Sequence, residues 1–185
     1  MRLTIQQAIT RGRVRVGDRS DLGDVEITCA EQGAPLVLGD CCRVADGVRF
    51  VLGPEGARFG DYCTLHEGSL VMARGKLEVG HNFWLGRNSI LDSTGGLVIG
   101  FSVRVGAGSQ IWTHVEAGDR LQGCTLYGAR PTSIGDDAWL VGAVTTNPGI
   151  HVAPRSIVLT GSVLTKDTQT GRTYAGVPAR AVALL

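Results

Sequence analysis

The chain is short of aromatics, with three Trp, three Tyr and four Phe in 185 residues, and it has only two Met and six Pro. A core built from it must therefore rest on small aliphatic side chains. Neither sign of charge dominates: eighteen Lys and Arg against seventeen Asp and Glu leave a formal net charge of +1. No global field is available to hold nucleic acid or an anionic membrane. No stretch approaches the roughly 18 uncharged apolar residues of a membrane helix, and MRLTIQQAITRGRVRV lacks the apolar centre of a signal peptide, so a cytoplasmic location without membrane insertion is expected. The five cysteines, Cys29, Cys41, Cys42, Cys63 and Cys124, include no CxxC pair and read as reduced, mostly structural thiols.

What is abundant is glycine, 27 residues, and it recurs in a pattern. An apolar residue followed by Gly appears at Leu38-Gly39, Phe59-Gly60, Val79-Gly80, Ile99-Gly100 and Ile134-Gly135, at intervals of 21, 20, 20 and 35 residues. Within these intervals apolar residues return every six positions, most regularly in Ile134, Leu140, Thr146, Val152, Val158 and Leu164, where one threonine keeps the place. Four residues after each start stands a small or branched residue, as in Cys63, Ser69, Ser89, Ser109, Ala138 and Ser156. A period of six fits neither the 3.6 of a helix nor simple strand alternation. It fits a chain wound into a three-sided coil, with one short strand and one turn per hexad. Regular sandwich strands would space themselves by about 8–12 residues.

These residues resemble the hexapeptide-repeat acyltransferases, an all-β family whose fold is a left-handed parallel β-helix, a triangular prism. The repeats cover Leu38 to Leu164, and IGDDAWLVGAVTTNPGIHVAPRSIVLTGSVLTKD followed by AGVPARAV is similar to the family's closing coils and tail. The expected organisation is N-terminal coils or a cap over 1–37, a β-helix over 38–166 with a loop insertion at 115–133, and a C-terminal tail over 167–185. The resemblance implies transfer of an acyl group from a CoA thioester, acetyl-CoA above all, to a hydroxyl or amine of a sugar, nucleotide sugar or polysaccharide precursor. It also implies a homotrimer with CoA between neighbouring prisms.

The insertion follows His114 in QIWTH, and long insertions in compact domains are usually functional. The resemblance makes His114 the general base, a task that suits an imidazole with its ordinary pKa of about 6.5. Register places Met72, Asp92 and Trp112 in one column and Arg74, Thr94 and His114 in another. Asp92, Glu116 or a main-chain carbonyl would serve to orient His114, while Asp92 in ILDSTGG reads first as a corner residue capping its own turn. Trp112, Asp92 and Glu116 are the candidates for acceptor contact. For CoA, Gly142-Ala143 and Thr160-Gly161 stand 18 residues apart and would stack into a strip without side chains. By resemblance, Lys166 and Arg180 lie toward the nucleotide end and Trp139 at the start of the segment. No metal is expected: the histidines, His66, His81, His114 and His151, do not have the close pair of the γ-carbonic anhydrases, which share the β-helix. A non-catalytic assembly or binding protein is the other alternative.

Overall fold

The computed structural model describes residues 1–29, 32–119 and 124–183; of the inserted segment, 120–123 lie outside the described residues, as does the Cys124 side chain. The chain winds into a prism with three sheets, here faces I, II and III, of eight, seven and nine strands. Each coil runs from face II to III to I. In the middle of the prism face II carries Leu77–Val79 and Leu97–Ile99, face III Trp84–Leu85 and Arg104–Val105, and face I Ile90–Asp92 and Gln110–Ile111. Pairing within the faces is parallel, with Leu77↔Leu97, Trp84↔Arg104 and Ile90↔Gln110 in register. Antiparallel partners occur at the two ends, where Arg2–Thr4 meets Glu26–Cys29 and Thr173–Gly176 meets Ala179–Val182. Between the first pair lies a short helix, Ile5–Thr10, started by a Thr4 and Gln7 capping box. That helix is too short to cross a membrane, and no other described helix is long enough to do so.

The hexad has a physical basis in this geometry. Its first residue points inward, and Leu65, Leu85, Val105, Leu140 and Val158 form one buried column on face III. Phe50, Phe59 and Phe83 pack in the N-terminal half of the core, their ring centroids 6.2 and 6.4 Å apart in succession. The small residue lies at a crowded edge where the backbone turns out of its sheet. Between faces III and I, the Ser69 hydroxyl donates to the Gly86 carbonyl (3.0 Å) and accepts from the Ser89 amide (3.3 Å); Ser89 does the same toward Gly106 and Ser109. The hydroxyls satisfy buried turn groups that no neighbouring strand reaches.

The same edge makes two glycines unequal. A Cβ on Gly106 would fall on the Val141 carbonyl of the next coil, far inside van der Waals contact, whereas Gly161, at φ +73°, has open space around its Cβ position. Gly106→Ala should cost about 3 kcal/mol or more, at or above the upper end for overpacking. Gly161→Ala should cost about 1–2 kcal/mol from its left-handed backbone alone. Chemical denaturation of the two variants measures the difference.

The inserted segment leaves the I/II edge as a paired ribbon. Strands His114–Asp119 and Cys124–Ala129 run antiparallel, with His114 opposite Ala129 at the root. The coil resumes in Thr132–Ile134, which pairs with Leu97–Ile99.

Candidate active site

Asp92 ends a face I strand, immediately after the inward-pointing Leu91. Strand alternation would send it to solvent, yet it is completely buried. The next coil covers it: Gln110 and Ile111 pair with Ile90 and Leu91, and this register carries Trp112, Thr113 and His114 over the Asp92 side chain. Its Oδ1 accepts from the Thr94 amide (3.1 Å) and hydroxyl (2.6 Å). Its Oδ2 accepts from the Thr113 amide (2.9 Å) and hydroxyl (2.7 Å) and lies 2.8 Å from His114 Nδ1. Burial opposes the charge, but the hydrogen bonds from Thr94, His114 and Thr113 outweigh it and hold the carboxyl below its usual range.

An ionised carboxylate is acceptor-only, so the proton of the neutral imidazole sits on Nδ1 and Nε2 is the unprotonated nitrogen. The His114 side chain is 20% exposed, within reach of a substrate. Trp112 forms a wall, its ring centroid 6.3 Å from that of His114 at 70°, and its indole N–H donates to Gln110 (3.1 Å). The two readings of Asp92 prove compatible: one oxygen caps its own turn and the other orients the histidine. Glu116 stands on the ribbon opposite Tyr127. Thr113 was not singled out from the sequence; its place between Trp112 and His114 in QIWTH was the available signal, and its hydroxyl also accepts from the Gly95 amide (2.8 Å), tying the ribbon's root to the preceding coil.

The residues selected for CoA lie elsewhere on the prism. Gly142, Ala143, Thr160 and Gly161 occupy the III/I edge. The Gly161 amide bonds to the Gly142 carbonyl (3.0 Å), and the Ala143 amide to the Ala107 carbonyl (2.8 Å), so these turns stack. Trp139 begins the face III strand Trp139–Leu140 and is 48% exposed. Lys166 and Arg180 are both exposed at the C-terminal end, but on different sides. Lys166 follows the face I strand Val163–Leu164 at the I/II edge, and Arg180 sits opposite Ala175 on the closing strand of face III. The other histidines also disperse: His66 beside Trp84, His81 against Asp61, and His151 on face II against Ser133. Among the described residues no three His, Cys, Asp or Glu side chains are grouped to hold a metal.

No family model matches the chain. It is 31% identical over 107 residues to the Saccharomyces cerevisiae protein YJL218W, which bears the name of an acetyltransferase, covering 56% of this chain and 54% of that one. It is 36% identical over 52 residues to the galactoside O-acetyltransferase of Escherichia coli, covering 28% and 26%. The matches thus span about half and a quarter of these relatives. Among solved structures, a mutant of AntD, an N-acyltransferase from Bacillus cereus in complex with dTDP and coenzyme A, superposes with a TM-score of 0.68 over 90% of this chain and 83% of that one, at 11% identity. The fold is the left-handed β-helix of such acyltransferases, as the resemblance implied.

Proposed function

We propose that this β-helix is a CoA-dependent acyltransferase, with acetyl-CoA as donor and a hydroxyl or amine of a sugar, nucleotide sugar or polysaccharide precursor as acceptor. The observation that carries this reading is the 2.8 Å contact between buried, ionised Asp92 and His114 Nδ1 at the root of the inserted ribbon. With the proton held on Nδ1, Nε2 is the nitrogen that acts as the base. The acceptor's O–H or N–H proton passes to Nε2 while the acceptor atom attacks the thioester carbonyl. Collapse of the tetrahedral adduct breaks the C–S bond, and the imidazolium returns its proton to the departing CoA sulfur. The names of the relatives agree with this chemistry.

CoA would lie along the III/I edge, its pantetheine on the side-chain-poor turns of Gly142, Ala143, Thr160 and Gly161, beside Trp139, with Lys166 or Arg180 on its phosphates. In a triangular prism the III/I and I/II edges are separated by the whole of face I. One chain therefore does not bring its own strip to its own His114, and the site is completed by a second copy. Closed threefold symmetry supplies that arrangement to every subunit, as a homotrimer.

Acetyl-CoA thiol release in the presence of saccharide acceptors tests the activity. Mixed subunits test the assembly: His114→Ala and Gly142→Leu should each be inactive alone, and co-expressed chains should regain measurable turnover because some sites pair an intact strip with an intact histidine. Failure of every mixture to regain turnover, with each variant folded, would place the whole site within one chain.

A further inference from the structure

The Thr113 side chain is completely buried at the root of the ribbon. Its hydroxyl has one proton to give and two lone pairs with which to accept. The Gly95 amide of the preceding coil donates to one lone pair (2.8 Å), and a backbone N–H can only donate. The hydroxyl proton is therefore directed at Asp92 Oδ2, 2.7 Å away. Gly95 comes this close because it has no side chain: a Cβ there would fall on the Thr113 carbonyl. The result is a relay of fixed direction, from the Gly95 N–H to the Thr113 O–H to Asp92.

Asp92 Oδ2 consequently serves three donors, the Thr113 amide (2.9 Å), the Thr113 hydroxyl (2.7 Å) and His114 Nδ1 (2.8 Å). Electron density drawn by one donor is withheld from the others. Oδ1 is loaded in the same way by the Thr94 amide (3.1 Å) and hydroxyl (2.6 Å). Asp92 and Thr113 have no contact with water, so these bonds act at the low dielectric of the interior.

Few charges compete with them. The face I strands on either side of Asp92, Leu70–Ala73 and Gln110–Ile111, carry none, and neither does Thr132–Ile134, where the coil resumes. On the adjoining edges and the ribbon stand Arg74, Lys76, Glu116 and Arg130, all exposed, where water and salt screen them. Lys76 is moreover paired with Glu78 (3.1 Å).

We infer that Thr113, with Thr94 behind it, is a positioning residue for this site: by sharing Asp92 with His114, the two hydroxyls weaken the carboxylate's hold on the imidazolium and lower the pH at which Nε2 becomes free to accept a proton. A carboxylate that lost either donor would hold the imidazolium more tightly, and His114 would stay protonated to higher pH. The kinetic consequence rests on the proposed transferase function; the effect on His114 itself does not.

Two readouts on the full chain test this: the acid limb of kcat/KM for thiol release from acetyl-CoA with saccharide acceptors, and the NMR titration of the His114 ring, assigned by its absence from His114→Ala. Thr113→Val keeps the shape and removes the hydroxyl. It should move both midpoints upward by about half a unit to one unit, the scale of one lost hydrogen bond to a charged group shared between two partners. Thr113→Ser, which keeps the hydroxyl, should return both to the wild-type value. Because Thr113→Val also strips the Gly95 amide of its acceptor and costs stability, Thr94→Val serves as the second variant. It removes a donor from Oδ1, leaves Gly95 satisfied and should shift both readouts in the same direction by less. Midpoints unmoved in both valine variants while Tm falls, or moved downward, would make the hydroxyls purely structural and overturn the inference. A raised His114 midpoint in a chain that releases no thiol with any acceptor would remove the transferase reading and leave the inference standing.

Discussion

His114→Ala should lower kcat by about 10²–10⁴-fold, the usual contribution of a positioned acid–base group, while the KM for acetyl-CoA stays nearly constant. The fold should survive, because the side chain lies at an edge, partly exposed, and leaves only a small gap over Asp92. Stopped assays of thiol release at saturating substrates, with circular dichroism on the same samples, check both halves. A variant within tenfold of wild type would mean that another group takes the proton, or that proximity alone drives transfer.

Asp92→Asn should be damaging in two separable ways. Both carboxylate oxygens face donors: the Thr94 amide and hydroxyl on one side, and the Thr113 amide and hydroxyl with His114 Nδ1 on the other. An amide must point its NH2 at one of these sets, leaving buried donors opposed, at a cost of about 1–3 kcal/mol. If the NH2 faces His114, the preferred tautomer reverses, Nε2 becomes protonated and the base is lost, so kcat should fall by about 10²–10⁴-fold. His114→Ala would abolish activity without much loss of stability; Asp92→Asn should show both. The acid dependence follows from the lowered carboxyl pKa. Asp92 stabilises the fold fully above its ordinary unfolded value of about 4, and that contribution disappears as pH falls through the lower folded value. The Tm gap between wild type and Asp92→Asn should therefore be constant above about pH 5 and narrow only in stronger acid. A gap independent of pH would mean that the ionised carboxylate contributes nothing to stability.

The regularity of the coil was legible because its physics is local and repeated. Every hexad must bury one residue and turn one edge, so Leu65, Leu85, Val105 and Leu140 recur, as do Ser69, Ser89 and Ser109. Register followed directly: Met72 does pair with Asp92. The inserted segment was visible only as a break in this rhythm. Its strand pairing has no periodic signature in the sequence, since VEAGDRLQGCTLYGA has neither clean alternation nor a two-residue Asn-Gly or Asp-Gly turn.

By itself, the sequence determined the three-sided coil, its register and the position of His114 at the end of a coil, because a six-residue burial pattern allows few other ways to remove apolar surface from water. The tertiary structure decided which carboxylate meets that histidine, which of its nitrogens carries the proton, and that the strip of Gly142 and Gly161 lies on a different edge from His114. Those outcomes depend on where a side chain points once the next coil has closed over it. Asp92 and His114 are 22 residues apart, and alternation alone would have left Asp92 in solvent. Trp84 and Trp139 are likewise 55 residues and an entire ribbon apart in the chain, yet stacking places them two coils apart on face III.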